Sequence, residues 1–127
     1  MKILGIGVDI IENKRIGKLI KSEKFIKRSF SKKEIELSKN TKNKINFFAK
    51  RFAAKESLSK AIGTGFRNGL NFKDIEILND KNGKPFYSKK KKVSDLINKI
   101  FEIKNYHILL SITDERDYSI AFTILQK

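Results

Sequence analysis

The sequence predicts an α+β fold, an antiparallel sheet packed on a long central helix. Three observations carry this expectation. Residues 2–11 alternate with the period of a strand, residues 45–62 sustain the longest helical pattern, and two more strand patterns close the C-terminus across a short polar turn. Strands joined by tight turns pair antiparallel, and helices grouped between them give α+β rather than α/β. The 127 residues match the length of one domain, so a single unit over 1–127 is expected. A hydrophobic share of 39% with ten Phe argues for a packed core rather than disorder.

In the first strand Leu4, Ile6, Val8 and Ile10 share one face, and Ile3, Gly5, Gly7, Asp9 and Ile11 share the other. Asp9 therefore stands on a face whose nearest neighbours have no side chain, where another group can approach the backbone closely. Residues 14–24 place Ile16, Leu19 and Ile20 on one side of a helix and Arg15, Lys18 and Ser22 on another. Ser31 followed by Glu34 is a capping box that starts a short helix to about Leu37. Residues 38–46 are a polar connector. The long helix over 45–62 ends at Gly63 and Gly65, which accept a left-handed C-terminal turn. Residues 72–78 alternate as a strand. Residues 79–85 form a turn around Asn82-Gly83 that leads into Phe86-Tyr87. The Lys89–Lys92 run reads as a solvated loop or a helix entry, and Val93, Leu96, Ile97 and Ile100 mark one face of another helix. His107–Thr113 and Tyr118–Leu125 are the closing strands. The predicted order is β-α-α-α-β-β-α-β-β.

Lys and Arg number 29 against 14 Asp and Glu, a net charge of +15. A basic balance favours phosphates, nucleic acids or acidic proteins as partners. Of the basic residues 24 are Lys and five are Arg. Abundant Lys, Ile and Asn also follow from an A/T-rich coding sequence, so Arg15, Arg28, Arg51, Arg67 and Arg116 carry more weight than the lysines. The absence of cysteine excludes disulfides and zinc-thiolate sites and suits a reducing, cytoplasmic setting. The opening MKILGIGVDI turns acidic too soon for a signal segment, and no apolar run approaches the roughly 20 residues of a membrane span.

Glu56 and Lys60 lie one turn apart on the long helix, flanked by Phe52 and by Ala49 and Ala53, whose small side chains leave room for a ligand. The pair reads either as an i,i+4 surface pair, worth about 0.2–0.5 kcal/mol, or as part of a site. Asp9 reads either as a turn or cap residue or, with a second carboxylate, as a Mg²⁺ ligand, since that ion takes one or two carboxylates plus substrate phosphates. GIGVD is no dinucleotide fingerprint: the third glycine is missing and the glycines lie inside the strand. No Walker loop, HExxH or GxSxG occurs. The one histidine, His107, reads either as structural or as catalytic, and the apolar residues of its strand favour the structural reading.

Four blocks, GIGVDIIENKRI, FAKRFAAKESLSKAIGTGF, NDKNGKP and SITDERDYSIAF, together resemble the holo-(acyl-carrier-protein) synthase family, the small single-domain 4′-phosphopantetheinyl transferases. The match runs in order over nearly the whole chain, and the second block is the most specific. The resemblance implies transfer of 4′-phosphopantetheine from coenzyme A to a serine of apo acyl carrier protein, in fatty acid biosynthesis, with release of adenosine 3′,5′-bisphosphate. It implies Asp9 and Glu56 as Mg²⁺ ligands, with Glu56 and Lys60 as the catalytic pair. Arg51, whose fork suits phosphates, is a candidate for binding coenzyme A together with Lys60, Gly63 and Gly65. The resemblance further implies a homotrimer with sites between subunits, and a first helix whose basic residues dock the acidic carrier: Arg15, with Lys18, Lys24 and Arg28 beside it. In this reading neither a nucleic acid nor a membrane is a partner. The departures are local. Leu109 stands where many members have histidine, His107 sits two residues earlier, about 6.6 Å along a strand, and Asp114 follows SIT where many members again have histidine. The alternative reading is a basic nucleic-acid-binding module without enzymatic activity, whose binding would fall steeply with salt.

Overall fold

The structure is a computed structural model that describes residues 1–63, 66 and 69–127. Strand β1 (Ile3–Glu12) leads into four helices, α1 (Asn13–Leu19), α2 (Glu23–Ser29), α3 (Lys32–Ser38) and α4 (Lys44–Ile62). A 3-10 turn (Phe72–Asp74), the short strands β2 (Ile77–Asn79) and β3 (Pro85–Tyr87), helix α5 (Lys91–Phe101) and strands β4 (His107–Asp114) and β5 (Tyr118–Gln126) follow. The main sheet has the order β1-β5-β4, antiparallel throughout, and β2 pairs with β3 as a separate ribbon.

The expected sheet-on-helix architecture is present, and the reason is visible in β1. A Cβ added at Gly7 would overlap the Ser57 carbonyl oxygen, and one at Gly5 would overlap that of Ala61. The strand backbone therefore lies directly on the helix backbone, a contact only glycine permits. The Ser57 hydroxyl donates to the Gly7 carbonyl (3.2 Å) and pairs with Thr123, whose Oγ1 lies 2.8 Å from the Tyr87 hydroxyl. Helix α4 buries residues around its whole circumference, among them Phe47, Phe48, Phe52, Ala54, Leu58 and Ile62.

Two sequence expectations are corrected. The helix over 14–24 stops at Leu19, and a second one begins at Glu23. Ser22 caps the new helix by accepting from the Phe25 amide (3.2 Å), and Phe25 turns into the core. The strand over 72–78 is a 3-10 turn followed by β2 at Ile77. The carbonyls of its first half do not join a ladder: those of Phe72 and Ile75 accept from the Lys55 ammonium. The Ser31–Glu34 capping box forms as expected. In the turn before β3, Gly83 takes φ 83° and the Asp80 carboxylate accepts from the Asn82 and Lys84 amides.

A buried ion pair ties these elements together. Lys55 and Glu34 are both fully buried, with Nζ 2.7 Å from Oε1. The same carboxylate accepts from the Ser31 and Ile77 amides, at 2.9 and 3.1 Å. All three ammonium protons and both carboxylate oxygens are thus occupied, as a buried pair requires.

Candidate active site

Advancing from Gly5 to Gly7 along β1 runs back along α4 from Ala61 to Ser57, and the next inward residue is Asp9. This register brings Asp9 to Glu56 and Lys60. The Lys60 ammonium donates to Asp9 Oδ1 (3.1 Å) and to the Val8 carbonyl (3.0 Å). The Asp9 side chain is 16% exposed and that of Lys60 54%, so the carboxylate sits recessed and the lysine reaches in from solvent. Glu56 is half-buried. Desolvation pushes its carboxyl above the usual carboxylate range, and the Asp9 charge pushes it further; Lys60 and Arg15 pull the other way. Ala49 and Ala53 do not provide the expected room. Both are fully buried, and the close approach comes from the glycines of β1 instead.

Arg51 occupies a different place. It lies five residues before Glu56 and so about 140° around the helix. Its guanidinium is stacked on the Phe47 ring at 3.6 Å, and Nη2 donates to Asn79 Oδ1 (2.7 Å). Nη1 reaches the Phe47 carbonyl at 3.5 Å, and Nε has no partner although the residue is only 5% exposed. Burial pulls its pKa down to about 10, against a raising effect from Glu34, so the group is still charged at neutral pH. Arg51 lines an open cleft of about 720 Å³ with Lys33, Lys50, Asn79, Phe86 and Asp114. Asp114 accepts there from the Asn46 amide nitrogen (2.8 Å). This cleft adjoins the edge strand β4, whereas Asp9 lies on the other edge strand, β1.

Of the remaining predicted residues, Arg15 and Lys18 are exposed on α1, but Lys24 and Arg28 are exposed on α2, not on the first helix. Lys24 and Arg28 line a shallow depression with Glu23, Lys27 and Lys73. Gly63 forms the C-cap of α4 with φ 95°; Gly65 and Arg67 lie outside the described residues. His107 opens into a separate cleft with Tyr106 and Lys104, away from Asp9. Three contributions escape sequence reasoning. Asn79 anchors Arg51, Lys55 neutralises Glu34, and Asn13, which donates to the Glu115 and Arg116 carbonyls (3.0 and 3.1 Å), clasps the β4–β5 turn. Only Glu34 carried a local signal, as a cap.

The donor set at Asp9 and Glu56 is all oxygen: two carboxylates and a strand carbonyl. That is the hard chemistry of Mg²⁺, and two carboxylates leave positions for water and phosphate. Among the described residues no group of three or more His, Cys, Asp and Glu gathers in one place.

Comparison with known proteins gives one answer. The family model described as the 4′-phosphopantetheinyl transferase superfamily matches residues 5–123. A holo-(acyl-carrier-protein) synthase of Pelagibacter ubique is 58% identical over 127 residues, covering 100% of this chain and 99% of its relative. The crystal structure of the synthase from Neisseria meningitidis superposes with a TM-score of 0.88 at 36% identity, covering 98% of this chain and 99% of that one. The synthase from Bacillus anthracis, crystallised in complex with coenzyme A (3′,5′-ADP), gives 0.81 at 35% identity over 99% and 98%. By sequence and by fold, this chain belongs to the holo-(acyl-carrier-protein) synthase family of the 4′-phosphopantetheinyl transferases.

Proposed function

We propose that the chain, as one unit over 1–127, transfers 4′-phosphopantetheine from coenzyme A to a serine of apo acyl carrier protein in the cytoplasm, with Mg²⁺ held by Asp9 and Glu56. The observation that carries the reading is the convergence of two carboxylates and an ammonium where β1 lies bare on α4. Bound there, Mg²⁺ would neutralise the diphosphate of coenzyme A and polarise its phosphorus. In the transfer, the serine oxygen bonds to the phosphorus that carries the pantetheine arm. The bond from that phosphorus to the leaving adenosine 3′,5′-bisphosphate breaks, and the serine proton passes to Glu56. Glu56, or a water it holds beside the metal, is the base assigned to that proton. Lys60 supplies positive charge to the leaving phosphate.

Arg51 with Lys33 and Lys50 suits the remaining phosphates. A buried guanidinium with no carboxylate in hydrogen-bond contact calls for a counter-anion. That cleft and the Asp9 pair lie toward opposite edges of the three-stranded sheet. In a closed ring a heterologous interface sets one edge of a protomer against the other edge of its neighbour, so that neighbouring copies share each centre. We assign the ring as a homotrimer. Its support is the outer sheet face, where Ile6, Val8, Ile10, Leu109, Tyr118 and Phe122 are exposed together. The exposed cations of α1 and α2, Arg15, Lys18, Lys24 and Arg28, suit an acidic carrier.

The test is the mass of apo acyl carrier protein after incubation with coenzyme A and Mg²⁺. The protein is expected to add one phosphopantetheine per carrier, to stop when a chelator is present, and to stop in Glu56→Gln. Full transfer by Glu56→Gln would remove the assignment of that residue.

A further inference from the structure

We propose that Lys60 is the resident counter-ion of the metal site in the free enzyme, so that the divalent ion enters together with coenzyme A rather than ahead of it. The inference rests on the reading of Asp9 and Glu56 as metal ligands. The Lys60 ammonium is not extended into solvent. It is turned back onto β1, 3.0 Å from the Val8 carbonyl and 3.1 Å from Asp9 Oδ1. Asp9 Oδ1 is an oxygen the metal would use, and the ammonium occupies it. The Lys60 side chain is 54% exposed, and the ammonium's hydrogen bonds are to these two oxygens.

The electrostatics give the consequence. Asp9 and Glu56 are like charges close enough to act on each other, and Lys60 offsets one of them. A bare divalent ion must push the ammonium off Asp9 and leave it stranded beside a doubly charged neighbour. An ion arriving with a diphosphate brings the ammonium a new partner, since phosphate oxygens accept charge-assisted hydrogen bonds at least as well as a carboxylate does. Metal and coenzyme A therefore reinforce each other's binding, and by linkage the reinforcement is equal in both directions. Arg15, whose positive charge also acts on Glu56, adds to the barrier against a bare ion.

The experiment titrates Mn²⁺ into the full chain and follows free Mn²⁺ by electron paramagnetic resonance, with and without coenzyme A. The wild type is expected to bind Mn²⁺ about tenfold or more tightly with coenzyme A present, a coupling in the usual range. Lys60→Met, of similar length and uncharged, is expected to bind Mn²⁺ about tenfold more tightly than wild type without coenzyme A and to lose most of the coupling. Lys60→Arg is expected to keep the weak binding of the wild type. Equal affinity of the wild type with and without coenzyme A overturns the inference. So does Mn²⁺ binding by Lys60→Met that is unchanged or weaker. Asp9→Asn separates the two levels: if it leaves Mn²⁺ binding in the presence of coenzyme A intact, the metal assignment falls and the inference with it. If Asp9→Asn abolishes that binding while Lys60→Met behaves as wild type, only the inference falls.

Discussion

Glu56 is held in a state that folding does not favour. Its carboxyl is raised by desolvation first and by Asp9 second. A group whose folded pKa lies above its unfolded value stabilises the fold at low pH and loses that contribution as pH rises through the folded pKa. Burial penalises the charged form, so ionisation of Glu56 as pH rises costs the fold stability. Glu56→Gln is expected to raise the melting temperature at pH 7, with the gain shrinking towards pH 4, while it abolishes transfer; differential scanning calorimetry across that range checks the sign. Arg51 makes the complementary case. Its planar fork bridges Phe47 and Asn79, a geometry a lysine does not reproduce. Arg51→Lys is expected to raise KM for coenzyme A by about tenfold or more, from the roughly 1.5–3 kcal/mol of a hydrogen bond to a charged group, with a smaller effect on kcat. That Asp9 stands beside glycines and that Glu56 and Lys60 share one helix face was legible in the sequence, because glycine alternation and i,i+4 spacing are local signals; their reading as a site came from the family resemblance. The setting of Arg51 was not legible, since its partner Asn79 lies 28 residues away.

At the scale of elements, the glycines of β1 decide where Asp9 stands. In Gly7→Ala the added methyl meets backbone, the Ser57 carbonyl and the Ala61 amide, and neither is a flexible side chain that can give way. The strand must lift. The variant is expected to lose about 3 kcal/mol or more, the upper range of overpacking, in urea unfolding, and to lose transfer beyond its stability loss because Asp9 moves with the strand. The helical period of residues 14–24 ran on through Ser22, so the pattern concealed a cap that starts a new helix; Ser22→Ala is expected to cost about 1 kcal/mol in the same assay. The alternation of 72–78 was a true pattern with another cause. Ile75 and Ile77 are buried, but Lys55 takes the carbonyls that a neighbouring strand would need. An ion pair between residues 21 apart leaves no trace in a local window.

At the scale of the whole molecule, the sheet has one face on α4 and one bare apolar face. Ile6, Val8 and Ile10 are 62%, 54% and 59% exposed, opposite Ile124, Phe122 and Ile120 on β5. A monomer in water would be expected to carry polar residues there. Val8→Lys is expected to break the proposed homotrimer, with the sedimenting species shifted towards monomer and transfer abolished, while the helical content is retained in circular dichroism. The alternation made both faces of β1 legible in advance. It did not say which was the inner one, because that depends on how closely a helix can approach Gly5 and Gly7.

The placement of the carboxylate pair and the buried arginine on opposite margins of the sheet carries a genetic consequence. If neighbouring copies share each catalytic centre, a chain disabled only at Glu56 and a chain disabled only at Arg51 are each dead alone. Co-expressed, they would build mixed rings in which some junctions combine the intact half of one with the intact half of the other. Two null alleles would then rescue one another in the same cell.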